Sequence, residues 1–173
     1  MIRENVTAEE AARRLREKYE LPEAETKAHL AEGWRYMDLD KGASLAWIKG
    51  CPLGEVLRLR KDLPWGRVKM ALGLTAEAMA DGECRLRAWQ LARWWGYDEA
   101  RSLAMLRAGF PMHWVKVAWL LAEHGPFSME DILRRRSRTL PWWDWAAAAW
   151  GADPEEVKCW IKERRNPGLP LKK

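Results

Sequence analysis

The chain has 173 residues, of which 48% are hydrophobic and thirteen are tryptophan, and it carries a formal net charge of +5. That length suits one domain or one short repeat array with a real core, and that hydrophobic share excludes wholesale disorder. The opening stretch MIRENVTAEE is too polar for a signal peptide and no apolar run nears the ~18 residues a bilayer span needs, so a soluble, cytoplasmic protein without a membrane partner is expected.

The first helix starts at a capping box, Thr7 with Glu10 three residues on, and runs from Ala8 to Tyr19. Leu21-Pro22 interrupts it, and a second helix over 23–32 stops near Gly33. Residues 1–33 hold six basic and eight acidic side chains, net −2, and read as a separate N-terminal helical hairpin. From Trp34 a different pattern takes over. Gly50, Gly73 and Gly96 recur at a spacing of 23, and Gly125 and Gly151 continue the series at 29 and 26. The spacing predicts helices over 41–49 and 53–61, 65–72 and 76–81, 85–95 and 98–108, 112–123 and 128–138, and 142–150 and 154–165. Each recurring glycine is expected to be a left-handed helix stop. Thr75, Asp98, Ser128 with Asp131, and Asp153 before Pro154 supply helix starts. Pro64, Pro111 and Pro141 separate the units, because proline ends one helix and fixes the first turn of the next.

Strand signals are nearly absent, while apolar clusters at helical period, such as Val115, Ala118, Trp119 and Ala122, dominate. The fold class is therefore all-α: about five short helix-turn-helix units packed as an array behind the N-terminal hairpin. Degenerate repeats fill 34–140, and a basic helix-turn-helix with its tail fills 141–173. A unit of ~25 residues cannot bury its own faces, so neighbours must share a core. Tryptophan is large and rarely buried whole, so thirteen imply broad seams between helices. Those seams are also where a protein partner would dock if the repeat is an interaction module.

The sharpest copy is the last. Ala147 stands where two helices cross closely, Gly151 makes the tight turn, Val157 plugs the angle, and Trp160 packs beneath the second helix. These offsets, in the string AWGADPEEVKCWIKERRNPG, resemble the helix-turn-helix of phage-repressor-type DNA-binding domains over residues 143–168. Ala46, Gly50 and Val56 keep the same three offsets. Ala92 and Gly96 keep two, with Ser102 in the branched position, and Gly73 has Lys69 where a small residue belongs.

The resemblance implies a recognition helix in the major groove. Lys158, Lys162 and Arg165 fall at i, i+4, i+7 on one face, with Lys162, Arg164 and Arg165 suited to phosphate and Lys158 to base edges. The run Arg134, Arg135, Arg136 and Arg138 ends the preceding helix and would clamp the flanking backbone. Residues 132–173 hold ten basic and five acidic side chains, net +5. The plainer reading of both groups is dipole pairing at helix ends and a solvated face. Glu155 and Glu156 in the first turn also repel phosphate.

Other chemistry finds no motif. Cys51, Cys84 and Cys159 are scattered with no C-x-x-C pair, and His29, His113 and His124 have no ligand-spaced partner, so neither metal nor cofactor is expected. No phosphate loop, nucleophile elbow or zinc-protease motif occurs, so the expectation is a non-enzyme. The sequence thus points to double-stranded DNA, ahead of RNA, bound by a regulator or DNA-organising accessory factor. The alternative is a helical-repeat protein-interaction module or adaptor.

Overall fold

A computed structural model describes residues 6–163, and among them every regular element is a helix, as expected for an all-α chain. In order these are α1 (Ala8–Tyr19), α2 (Glu23–Ala31), α3 (Tyr36–Lys49), α4 (Leu53–Asp62), α5 (Trp65–Ala71), α6 (Ala76–Trp95), α7 (Glu99–Arg107), α8 (Met112–His124), α9 (Met129–Arg135), α10 (Trp142–Trp150) and α11 (Pro154–Glu163). The chain divides into two compact units, Met1–Leu86 and Arg87–Lys173, and the division falls inside α6.

In the first unit α1 packs on α2 and α3, α3 on α4, and α4 on α5. Thr7 caps α1 by accepting the Glu10 N–H at 3.2 Å, and Ala11, Ala12 and Leu15 turn one face inward. Leu15, Leu39, Leu53, Val56 and Val68 are wholly buried in one shared core. Burying each stabilises the unit by about 1.5–3 kcal/mol before chain entropy is counted. The acidic hairpin and the following helices therefore share one hydrophobic centre.

In the second unit α8 is the central element, packing on α7, α9 and α11 through Val115, Ala118, Leu120 and Leu121. α10 packs on α11. Asp98 and Ser128 cap α7 and α9 through the N–H groups of Arg101 (2.8 Å) and Asp131 (3.2 Å). Asp153 accepts the Glu155 N–H at 2.9 Å, so every predicted start of this unit is used.

Four expectations differ. The helix expected over 41–49 begins a turn earlier, as α3 at Tyr36. Helices 76–81 and 85–95 are one continuous α6, because Gly82 is not a stop: its bare Cα lets Ile48 approach closer than any side chain would permit. Gly125 does not adopt the left-handed conformation of Gly50, Gly73, Gly96 and Gly151; its φ is −119° and ψ 178°. Pro126 follows, and a residue before proline is driven to extended backbone. Glycine is needed at 125 for space, since a Cβ there would sit 2.9 Å from the Trp150 indole. Finally, α9 ends at Arg135 rather than 138, with Arg136 already extended (φ −61°, ψ 127°).

Candidate nucleic-acid interface

The corner of the last unit is built by its backbone. α10 ends with Gly151 at φ +77°, whose N–H donates to the Ala147 carbonyl at 2.9 Å. A left-handed turn of this kind closes the helix and swings the chain into α11. Val157 is wholly buried where the helices meet. The small side chain that is itself fully buried is Ala146, while Ala147 is half-buried and serves through its carbonyl. Trp160 lies flat on His124, ring centres 4.0 Å apart and planes 12° apart, which fixes α11 on the end of α8.

This seating leaves Lys158 and Lys162 on the exposed side of α11. Their freedom differs. The Lys158 ammonium donates to Glu155 at 2.6 Å and lies 5.4 Å from the Trp143 ring centre. The bond from Glu155 pushes Lys158 above its ordinary pKa, so the lysine is charged but occupied. Lys162 has no ion pair or ring contact among the described residues. Arg164 and Arg165 lie outside the described residues.

The arginine run splits in the same way. Arg134 and Arg138 are exposed and make no such contact among the described residues, whereas Arg135, also exposed, covers Phe127 at 4.9 Å. Arg136 is packed. Its guanidinium lies 4.1 Å from the Trp114 ring centre and 3.9 Å from that of Trp142, and it donates to the Leu140 carbonyl at 3.3 Å. Its Nε and Nη1 are buried without a hydrogen-bond partner, and that burial lowers its pKa. One of the four arginines is thus a structural link from the end of α9 to the first residue of α10.

The same economy governs the tryptophans. Trp142 and Trp145 are buried and the other eleven half-buried, so none is an exposed stacking platform. Basic side chains cover seven of them: Trp65, Trp89, Trp95, Trp114, Trp119, Trp142 and Trp143. Ser102, the departure from the repeat pattern, is wholly buried and accepts the Trp119 indole N–H at 2.9 Å, which explains a polar residue there.

A second corner of the same build lies in the first unit. Gly50 (φ +73°) and Cys51 both donate their N–H groups to the Ala46 carbonyl, at 2.8 and 3.0 Å. Ala46 is 5% exposed and Val56 wholly buried. Beside it an open depression of about 330 Å³ is lined by Lys49, Glu55, Arg58, Leu59, Ala71 and Leu72. Sequence spacing identified this corner but not the opening, which depends on how α5 folds back on α4.

Among the described residues no group of histidine, cysteine and carboxylate side chains is placed to hold a metal ion, and no helix is long and apolar enough to cross a membrane. No protein-family model, no curated protein and no solved structure matches the chain.

Proposed function

We propose that this chain binds double-stranded DNA through its helix-turn-helix corners, as a regulator or DNA-organising accessory factor without enzymatic activity of its own. The observation that carries the reading is the last corner. A left-handed Gly151 and a buried Val157 present α11 with Lys162 outward and uncommitted. Arg134 is exposed in the last turn of α9, which packs on the same α8 as α11, and Arg138 is exposed in the segment that follows it. Because Lys158, the side chain suited to base edges, is tied to Glu155, contact to phosphate through Lys162 is favoured over base reading at this helix, against the repulsion of the two first-turn glutamates. Arg164 and Arg165 would extend the phosphate contact.

The adaptor reading has less behind it. A docking seam of tryptophans needs exposed rings at its centre, and here all thirteen are buried or half-buried, seven under basic side chains.

The test is an electrophoretic shift of a mixed-sequence duplex at several salt concentrations. Wild type should lose affinity steeply with salt, and R134E/R138E/K162E should flatten the log–log slope by about 2.7, one phosphate per cation. A triple variant that retards DNA like wild type would end the assignment of this surface.

A further inference from the structure

We propose a second duplex-DNA contact surface in the first unit, centred on the exposed face of α4 and formed by Lys49, Arg58, Lys61 and Arg67. It rests on the DNA reading above and adds a site to it. Charge availability is the first support. Between residues 34 and 75 the chain has eight basic side chains and four acidic ones. Lys41 and Arg60 are spent on one indole, each 5.2 Å from the Trp65 ring centre, and Arg60 also lies 3.8 Å from Asp38. Asp38 is bonded to Trp65, and Asp40 to Lys18 and Tyr19. Six cations remain, Arg35, Lys49, Arg58, Lys61, Arg67 and Lys69, with no ion pair or ring contact among the described residues; of the two acids left in this stretch, Glu55 lines the opening with Lys49 and Arg58, and Asp62 ends α4.

Geometry is the second support. Lys49 ends α3 and Arg58 stands in the middle of α4, yet both line the same opening, together with Ala71 at the end of α5 and Leu72 that caps it. Lys61 follows Arg58 by three residues, hence on the same face of α4, and Arg67 precedes Ala71 by one turn of α5. All four cations are exposed. An open depression with Lys49 of α3 and Arg58 of α4 in its lining, Glu55 beside them, fits a ridge of phosphates, with apolar Leu59, Ala71 and Leu72 completing the lining and Lys61 and Arg67 standing outside it on α4 and α5.

The corner itself is the third. Gly50 and Cys51 share one carbonyl, Ala46 is closely packed, and the first turn of α4 carries one glutamate where α11 carries two. Among the described residues Arg58 also has no ion pair, where Lys158 is held by Glu155. The first unit therefore offers its second helix to a duplex with less self-neutralisation than the last. A chain with a contact surface in each compact unit would hold two duplex segments at once.

The experiment uses the full chain, wild type and two charge-reversed variants, K49E/R58E/K61E and R134E/R138E/K162E. Each is titrated with a duplex of roughly two helical turns, and each is tested for bringing together two differently labelled duplexes by energy transfer. Thermal unfolding controls for folding, and K49Q/R58Q/K61Q replaces the reversed variant if that one melts early. The expected result for the first-unit variant is a salt slope lower by about 2.7 and loss of bridging. A first-unit variant with the wild-type slope and intact bridging overturns this site; if the other variant is impaired at the same time, the DNA reading of α11 still stands. Loss in the first-unit variant alone keeps this site and removes α11. A wild-type chain that retards no duplex ends both.

Discussion

The guanidinium of Arg136 rests 3.9 Å from the ring centre of Trp142 and 4.1 Å from that of Trp114, in the angle of two indoles whose planes stand 79° apart. Each such contact at a partly desolvated site contributes roughly 1 kcal/mol. Arg136→Ala should therefore lower the urea-unfolding free energy of the second unit by about 2 kcal/mol. Arg136→Lys should recover little, because a compact ammonium has neither the planar face to lie against an indole nor the forked donors of a guanidinium. Arg134→Ala, two residues away and exposed, should stay within about 0.5 kcal/mol of wild type. Equal effects of R136A and R134A would show that the stacked arrangement contributes nothing.

Two glycines should fail for different reasons. Gly151→Ala meets no atom within 4 Å but must hold φ +77°, so it should cost about 1 kcal/mol of backbone strain whatever surrounds it. Gly125→Ala has an ordinary φ and collides with Trp150, so about 1–3 kcal/mol of overpacking is expected. Trp150→Leu should relieve the second substitution and not the first. A double-mutant cycle measured by denaturant unfolding checks this, and coupling of Trp150 to Gly151→Ala of the same size would refute it.

Removing an acid should strengthen DNA binding. Glu155 holds the Lys158 ammonium at 2.6 Å, so Glu155→Gln frees one cation on α11 and removes one repelling charge. The salt slope of duplex binding should steepen by about 1. The gel-shift titration of E155Q beside wild type decides the matter, and weaker binding by the variant would mean that α11 does not face the duplex.

Acid should loosen the second unit through one pair. Arg101 on α7 grips Glu130 on α9 with two bonds of 2.7 and 2.6 Å, and those bonds hold the Glu130 carboxyl below its ordinary pKa. A lowered carboxyl adds stability that is complete above the unfolded-state pKa of about 4.3 and lost as pH falls through the folded value. Arg101 is 46% exposed, so the contribution at neutral pH is at most about 1 kcal/mol. Glu130→Gln should be less stable than wild type at pH 7 by that amount and equal to it in strong acid. A gap that widens in acid would contradict the assignment.

Local signals were legible in the sequence. Thr7, Thr75, Asp98, Ser128 and Asp153 each bond a backbone N–H two or three residues ahead, so the whole interaction lies inside a short window. The corners at Gly50 and Gly151 were readable for the same reason. What failed depends on distant partners. A break was expected between 81 and 85 because nothing near Gly82 reveals Ile48, and Gly125 joined the glycine series although Pro126 and Trp150 govern it. Nor does composition distinguish Arg136 from Arg134: the difference is made by Trp114 and Trp142, which the fold brings together. The site was therefore legible as a list of cations but not as a division between those available and those already engaged.

The clothing of half the tryptophans by basic side chains separates two responses to the solvent. Contacts sheltered between rings and chain are poorly reached by mobile ions, whereas cations facing a polyanion compete with every ion in the buffer. Rising ionic strength should thus strip this protein from a nucleic acid long before it weakens the fold that presented the surface.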